Sequence, residues 1–202
     1  MNGFVAGAGA TNVDLLYKGF PRLPKIGEEI YCDDFSLQLG GGVPATLIHL
    51  GRLGVETRIA TELGDDLFSG FAKEKFQENG VTPINLYTGD KIPLNITSAI
   101  ILPEDRTFFT YGKGSIAPRD EALETFYKAA TGAKVVLMQP GGFLPVYRQL
   151  KAEGSTMVLD TGWDENLSFE TYSDYLEIAD YYTPNRKEAL QITGEPTPER
   201  AA

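Results

Sequence analysis

The chain reads Thr183-Pro184-Asn185-Arg186-Lys187-Glu188-Ala189-Leu190 where an apolar run closes and a helix begins. Asn185 and Glu188 are three residues apart, so their side chains share one helical face, with Cβ atoms about 5–6 Å apart. An amide and a carboxylate beside free backbone N–H groups suit a hydrated Mg²⁺ that carries phosphates. The same pair also fits an N-terminal cap with a capping box, so the sequence leaves both interpretations open.

Outward from this stretch, short apolar runs alternate with helical patterns. Strands are predicted at 4–8, 58–61, 135–138, 156–159 and 181–183. Helices are predicted near 43–53, 67–79, 119–130, 143–152 and 167–179. Apolar strands that alternate with helices indicate the α/β class, with a doubly wound, mostly parallel sheet flanked by helices on both faces.

Four further strand-like segments interrupt this alternation and predict a small antiparallel sheet. They lie at about 12–18, 29–39, 95–102 and 106–111. Phe35, Leu37 and Leu39 alternate with polar residues, which gives the second segment one apolar face. Such a face must cover a ligand, a partner chain or the body of the protein. We therefore expect a single domain over 1–202 with a β lid that also joins two copies in a homodimer.

The composition limits the classes of function. The chain has 28 acidic and 18 basic residues and a net charge of −10, which argues against nucleic-acid and anionic membrane surfaces. Cys32 is the only cysteine, which excludes an internal disulfide and fits a reducing compartment. The N-terminus lacks the pattern of a signal peptide, and no apolar run reaches the roughly 18–20 residues of a membrane span. We expect a cytoplasmic protein.

Two polar stretches lie where a ligand could bind. In Gly9-Ala10-Thr11-Asn12-Val13-Asp14, an extended backbone places Asn12 and Asp14 on one face, about 6.6 Å apart. An amide and a carboxylate that point the same way suit vicinal hydroxyls, although a turn explains them equally well. Gly40-Gly41-Gly42-Val43-Pro44 precedes a helix, whose N-terminus can bind polar or anionic groups; a flexible loop is the alternative.

Asp160 and Gly7 give weaker signals. Asp160 ends the predicted strand at 156–159, at the edge where open α/β sheets bind ligands, but turn formation is an equally good explanation. Gly7-Ala8-Gly9 partly matches a dinucleotide-binding fingerprint. Asn12 stands in place of its third glycine and no helical pattern follows, so a nucleotide-cofactor oxidoreductase is disfavoured.

Five motifs in this order resemble the ribokinase-like (PfkB) carbohydrate kinase family. They are Gly9-x-x-Asn12-x-Asp14, the glycines at 40–42 before a helix, Arg52-Leu53-Gly54 with Gly64-Asp65-Asp66 and Asn79-Gly80-Val81, the hairpin ending Arg106-Thr107-Phe108-Phe109, and Asn185-x-x-Glu188. The resemblance implies an α/β core with a β lid. It also implies transfer of the ATP γ-phosphoryl group to a hydroxyl of a sugar or related small molecule, achieved by positioning and charge stabilisation.

The resemblance also assigns roles to residues. It places Asn12 and Asp14 on the substrate hydroxyls, with Gly41, Gly42 and Thr46 lining the same pocket. The family's asparagine after the glycine-rich motif falls on Ala45, or on Thr46 with a one-residue shift.

By the same resemblance, Asn185 and Glu188 organise Mg²⁺ and its waters around the phosphates of ATP. A carboxylate that members often carry two residues beyond Gln139 is replaced by Gly141.

The largest departure is the lack of a Gly-Ala-Gly-Asp motif, which in the family holds the catalytic aspartate. Thr197-Pro198-Glu199-Arg200 has the pattern of a helix start, and we expect a truncated or split chain whose base and ATP-base loops lie in a missing C-terminal part. The 202-residue chain alone is then expected to be inactive. The alternative is a non-catalytic sugar- or nucleoside-binding regulatory protein on the same scaffold.

Overall fold

The computed structural model describes residues 3–112, 116–162 and 164–201, in which two β-sheets and their flanking helices are seen. The strands of sheet A are β1 (Val5–Ala8), β4 (Thr57–Thr61), β5 (Val81–Asn85), β8 (Val135–Met138), β9 (Thr156–Leu159) and β10 (Tyr181–Tyr182). Sheet B contains β2 (Asn12–Lys18), β3 (Asp34–Gly40), β6 (Asn95–Ile101) and β7 (Arg106–Tyr111). The helices are α1 (Gly42–Arg52), α2 (Leu67–Glu78), α3 (Asp120–Ala130), α4 (Leu144–Ala152), α5 (Phe169–Ile178), α6 (Arg186–Thr193) and α7 (Pro198–Ala201).

Sheet A is parallel throughout, in the order β10-β9-β8-β1-β4-β5. The chain starts in the middle at β1, winds outward to β5, and returns to β8 on the other side of β1. This reversal makes the sheet doubly wound and leaves a crevice between the carboxyl ends of β1 and β8, where such folds bind ligands. The predicted fold class is confirmed.

Apolar side chains cover sheet A on both faces, because successive residues of a strand point to opposite sides. On β8, Val136 and Met138 belong to a core cluster with α3 and α4, whereas Val135 and Leu137 pack with α1 and α2. Burial on both faces explains why these strands read as continuous apolar runs in the sequence.

Strand β5 was not predicted. It contains Pro83, which removes a backbone donor and normally argues against a strand. Within the described residues the strand pairs with β4 alone and forms an edge of the sheet, where a proline can be accommodated.

Sheet B has the order β3-β2-β6-β7 and is mixed rather than purely antiparallel. The outer pairs are antiparallel, but β2 and β6 pair in parallel, with Asp14 opposite Thr97. Both strands follow the carboxyl ends of sheet A strands, so they leave the body in the same direction. The segment predicted at 29–39 forms a strand only from Asp34, and whether sheet B acts as a lid stays a prediction. None of the helices in the described ranges is long and apolar enough to span a membrane.

Candidate functional site

The carboxyl ends of the sheet A strands place the candidate residues along one edge of the molecule. Since the strands are parallel, the chain leaves β10 at Thr183, β9 at Asp160, β8 at Gln139 and β1 at Gly9 on the same edge. The amide oxygen of Gln139 accepts a hydrogen bond of 3.1 Å from the backbone N–H of Ala10. This bond bridges the crevice between β8 and β1, next to the first predicted polar motif.

Asn12 and Asp14 lie on one face of β2, as the alternation predicted. Asn12 accepts a hydrogen bond of 2.9 Å from the amide of Asn95, and Asp14 accepts one from the hydroxyl of Thr97. The backbone of Gly40 lies so close to the Asp14 carboxylate that a Cβ there would collide with it. The carboxylate is therefore positioned by the two strands that flank β2.

Burial raises the pKa of the Asp14 carboxyl, and the hydrogen bond from Thr97 lowers it by a smaller amount. Burial disfavours the charged form because the protein interior solvates a carboxylate less well than water does. Asp14 is thus a partly desolvated acceptor whose charge is stabilised incompletely within the described chain. Such a group gains by receiving further hydrogen bonds, for example from hydroxyls.

The glycine-rich motif lies between Asp14 and Asp160, the residue that follows β9. A Cβ on Gly42 would lie 2.5 Å from a carboxylate oxygen of Asp160, just as one on Gly40 would meet Asp14. Between them, Gly41 has φ 98°, which a residue with a side chain rarely adopts. The backbone of this motif therefore passes between the two carboxylates, from Gly40 at the end of β3 to Gly42 at the first residue of α1.

A small cavity of about 50 Å³ joins this motif to the stretch that begins at Thr183. Its lining residues are Gly42, Val43, Thr46, Leu137, Val158, Asp160 and Thr183. Thr46 itself donates its hydroxyl to the backbone oxygen of Gly42, at 3.0 Å. Gly42 and Thr46, two of the predicted pocket residues, thus lie beside the carboxyl ends of β9 and β10.

Asn185 and Glu188 form the capping box that was one of the two interpretations of the sequence. The Asn185 side chain accepts hydrogen bonds from the backbone of Lys187 and Glu188, and the Glu188 carboxylate accepts from the backbone and the amide of Asn185. Glu188 is only 4% exposed. Burial raises the pKa of the neighbouring Tyr182 phenol, and the nearby Glu188 and Asp160 carboxylates raise it further.

These contacts decide what kind of metal binding the pair could support. The described part of the chain has no group of three or more His, Cys, Asp and Glu side chains arranged to hold a metal ion. Mg²⁺ commonly keeps several waters and uses only one or two carboxylates together with substrate phosphates. The described residues therefore offer no all-protein cage, and whether Asn185 and Glu188 hold Mg²⁺ through water stays a prediction.

Two functional candidates were missed by reading the sequence. Asn95 and Thr97 lie on the same face as Asn12 and Asp14, and both are largely buried. The alternation in 95–101 places them on one face of a strand, but only the parallel register of β2 and β6 brings that face to Asp14.

Gly141 stands where the family resemblance led us to expect a carboxylate. Its backbone N–H donates to the hydroxyl of Tyr175, and its backbone oxygen accepts from the same hydroxyl.

Comparison with known proteins identifies a family and a shared fold. The pfkB family of carbohydrate kinases matches residues 8–202. A ribokinase from Arabidopsis thaliana, solved with ribose and ATP, superposes with a TM-score of 0.77 at 22% identity, over 100% of this chain and 67% of that one. A ribokinase from Giardia lamblia gives a TM-score of 0.79 at 19% identity, over 96% of this chain and 62% of that one. No curated protein matches the chain.

The two-sheet α/β architecture is shared with the ribokinases on which the chain superposes. The chain belongs to the pfkB family of carbohydrate kinases. It spans roughly two thirds of the length of the ribokinases with which it was compared. At these identities the structural likeness demonstrates the shared fold.

Proposed function

We propose that this chain supplies the acceptor and metal sites of an ATP-dependent kinase that phosphorylates a hydroxyl of a sugar or related small molecule. The observation that carries the proposal is the path of the glycine motif, with Gly40 against Asp14 and Gly42 against Asp160. Glycine lets the backbone approach both carboxylates closely and so sets their positions on either side of the N-terminus of α1, where a hydroxyl-rich ligand and phosphates would bind.

Asp14 and Asn12 would hold the acceptor. A carboxylate can accept hydrogen bonds from two hydroxyls, and an amide both donates and accepts. Because Asp14 is partly desolvated and receives a bond from Thr97, it already points at a fixed position before any ligand arrives. Gly41, Gly42 and Thr46 would line the other side of the acceptor. Orientation of this kind is the main contribution that a protein makes to phosphoryl transfer.

Asn185 and Glu188 would hold Mg²⁺ through water, beside ATP. The ion would neutralise charge on the transferring phosphates. Within this chain, the capping box fixes the Glu188 carboxylate, and Asp160 and Thr183 border the same region. The sequence has no Gly-Ala-Gly-Asp motif to supply the catalytic base, so we expect no turnover from the 202 residues alone.

The apolar face of sheet B would join two copies of the chain. Phe35, Leu37, Phe109 and Tyr111 lie on this face, and each is at least 41% exposed. Exposed apolar side chains that share one sheet face mark an interaction surface. Phe109→Ser is expected to shift the protein toward monomer in analytical ultracentrifugation, whereas Phe169→Ser on α5 is expected to leave the assembly unchanged.

The proposed location of the protein is the cytoplasm.

Calorimetry with a panel of pentoses, hexoses and nucleosides tests the acceptor site on the 202-residue chain. We expect at least one member to bind, and Asp14→Asn to weaken it by about 5- to 150-fold, which corresponds to roughly 1–3 kcal/mol. Asp34→Asn, at the far end of sheet B, is the matched control and should bind like the unmodified chain. No binding by any member, or equal losses in both variants, would contradict the proposal.

The transfer step requires a second experiment. A clone extended downstream to include a Gly-Ala-Gly-Asp segment should phosphorylate at least one acceptor with Mg²⁺ and ATP. Failure with the whole panel would contradict kinase activity. Acceptor binding without any binding of Mg²⁺ and ATP to the extended clone would instead favour the regulatory protein that was the alternative reading of the sequence.

A further inference from the structure

We propose that a cavity between α1, α2 and the end of β3 binds a small organic carboxylate with an apolar body. The cavity has a volume of about 420 Å³, which lies within the range of ordinary ligand pockets. Residues at helical spacing line it, from Ala45 to Arg52 on α1 and from Phe71 to Asn79 on α2. The inference goes beyond the proposed function and does not depend on it.

The cavity is separate from the candidate acceptor site, although both use α1. Gly42, the first residue of α1, lies against Asp160 at the carboxyl edge of sheet A. Arg52, the last residue of α1, lies about 15 Å further along the helix, at 1.5 Å per residue. The chain then enters β4 from the amino edge of the sheet. The charged end of the cavity is therefore remote from the proposed phosphate region.

Arg52 is held in place from the neighbouring helix. Its Nε donates a hydrogen bond of 2.6 Å to the side-chain oxygen of Asn79. The amide nitrogen of Asn79 donates in turn to the backbone oxygen of Lys75, at 2.7 Å. Gly51 lets the two helix ends approach closely, because a Cβ there would collide with the backbone oxygen of Asn79. The guanidinium is thus oriented before a ligand arrives.

The remaining edge of the Arg52 guanidinium suits a carboxylate. It carries the two terminal amino groups, and no acceptor among the described residues bonds to either of them. Such an edge matches the two oxygens of a carboxylate in a bidentate pair.

Basic residues near a helix C-terminus often serve only to offset its partial negative charge. That explanation suits His49, whose Nδ1 lies 2.7 Å from the backbone oxygen of Ala45 in the same helix. It does not suit Arg52, which reaches across to α2. The position of Arg52 therefore favours a ligand over compensation of the helix dipole.

The charges in the lining favour a ligand with one negative charge. Lys75 is already paired with Glu78, at 2.7 Å, and lies 5.6 Å from the centre of the Phe71 ring. The charges of this pair cancel, so Arg52 provides the net positive charge of the cavity. Glu78 would repel a dianion. The cavity therefore suits a carboxylate better than a phosphate.

Apolar side chains provide a surface for the rest of the ligand. Leu39 from β3, Ile48 from α1 and Phe71 from α2 all line the cavity. Ile48 belongs to a buried core cluster, and Leu39 and Phe71 pack against the same cluster. These side chains are therefore fixed, and an apolar ligand body would remove their remaining surface from water.

Titration of the ¹⁵N-labelled 202-residue chain with phenylacetate tests the inference, with phenylacetamide as the uncharged match. Phenylacetate should shift amide resonances in 45–52 and 71–79 and the ring signals of His49, the only histidine of the chain. Phenylacetamide should bind about tenfold more weakly, since it lacks the charge-assisted pair. Absence of shifts with phenylacetate, or equally tight binding of phenylacetamide or inorganic phosphate, would overturn the inference.

Substitutions of Arg52 separate this site from general attraction of an anion. Arg52→Gln should lower the affinity for phenylacetate about tenfold, to that of phenylacetamide. Arg52→Lys keeps the charge but loses the two-pronged edge, so it should also bind more weakly. Arg148→Gln on α4 removes an arginine that pairs with Asp174 and is the matched control. Equal losses in the Arg52 and Arg148 variants would contradict the inference.

Asp14→Asn separates this inference from the proposed function. The variant should keep its affinity for phenylacetate while it loses affinity for the acceptor. A parallel loss of both would show that phenylacetate occupies the acceptor site, and would overturn the inference. Phenylacetate binding in a chain that binds no sugar or nucleoside would support the inference and contradict the proposed function alone.

Discussion

The two sheets of this protein use apolar residues in opposite ways. In sheet A, strand residues such as Met157 and Leu159 are fully buried, and helices cover both faces. In sheet B, Phe35 and Phe109 are 50% and 63% exposed on one face, while Asn12 and Asp14 occupy the other. Since burial of apolar surface is the main source of stability, sheet A should determine folding and sheet B should determine binding.

The largest effect is expected from a truncation beneath sheet A. Phe126 is 1% exposed and packs edge-on against Phe143 and Tyr147, with ring centroids 5.4 and 5.9 Å away. Phe126→Ala should lower the free energy of unfolding by about 3–5 kcal/mol in urea titrations, because it leaves a cavity. Phe109→Ala on sheet B should change it by less than about 0.5 kcal/mol per subunit under monomeric conditions. Similar losses in both variants would abolish the distinction between the sheets.

The next effect is a pH dependence of acceptor binding. The pKa of Asp14 is raised by burial above the usual value of about 3.9. The ionised carboxylate accepts hydroxyl protons at both oxygens and more strongly than the protonated acid, which uses one oxygen as a donor. Acceptor affinity should therefore fall as the pH decreases through this raised pKa, with a total loss of about 1–3 kcal/mol. Calorimetry from pH 7 downward measures the change, and Asp14→Asn should bind weakly with a flat profile. A profile as steep in the variant as in the parent would assign the effect to another group.

The same pKa shift has a consequence for stability. A raised pKa means that the folded state binds the proton more tightly than the unfolded state, so ionisation of Asp14 opposes folding above that pKa. The contribution declines as the pH falls from this raised pKa and is gone below the unfolded-state value of about 3.9. Asp14→Asn should therefore keep or increase the midpoint of urea unfolding at neutral pH, although it weakens the binding of the acceptor.

A smaller effect is expected from a single methyl group in the glycine motif. Gly40→Ala would push a Cβ into the Asp14 carboxylate and should lower acceptor affinity by about tenfold, or about 1.4 kcal/mol. Gly70→Ala is the matched control: this glycine lies in α2 with open space around it, so alanine should stabilise the helix by up to about 1 kcal/mol. Unchanged acceptor affinity in Gly40→Ala would show that the position of the Asp14 carboxylate does not matter for binding.

The smallest effect separates helix capping from metal binding. Asn185→Ala and Asp66→Ala each remove an N-cap, and each should lower the free energy of unfolding by about 0.5–2 kcal/mol. In the extended clone, only Asn185→Ala should also raise the Mg²⁺ concentration needed for ATP binding. An equal change in the Asp66 variant would reduce Asn185 to a structural cap.

The sequence predicted sheet A more completely than sheet B. β8 and β9 lie at the predicted residues because burial on both faces gives an uninterrupted apolar run. β5 was not predicted because Pro83 argues against a strand. The proline is accommodated because β5 lies at the edge of the sheet, which only the fold reveals. The strand pairing of sheet B was predicted less well, since a hairpin pattern indicates local antiparallel pairing and carries no sign of the parallel β2–β6 pair.

In the candidate site, too, local relationships could be predicted from the sequence and distant contacts could not. Asn12, Asp14, Asn185 and Glu188 could be proposed because each pair is close in sequence and shares one face of its element. Asn95 could not, since its bond to Asn12 joins residues 83 positions apart. The contact of Gly42 with Asp160 likewise depends on how α1 meets β9.

The central claim is that the exit of β1, the glycine motif and the exit of β9 face one ligand. Titration of the ¹⁵N-labelled chain with its best-binding acceptor tests this most directly. We expect amide shifts in 9–14, 40–46 and 160–162 with a single affinity, and none in the loops at the opposite edge of sheet A, at 53–56, 131–134 and 153–155. Shifts confined to one of the three segments, or centred on the opposite loops, would contradict the account.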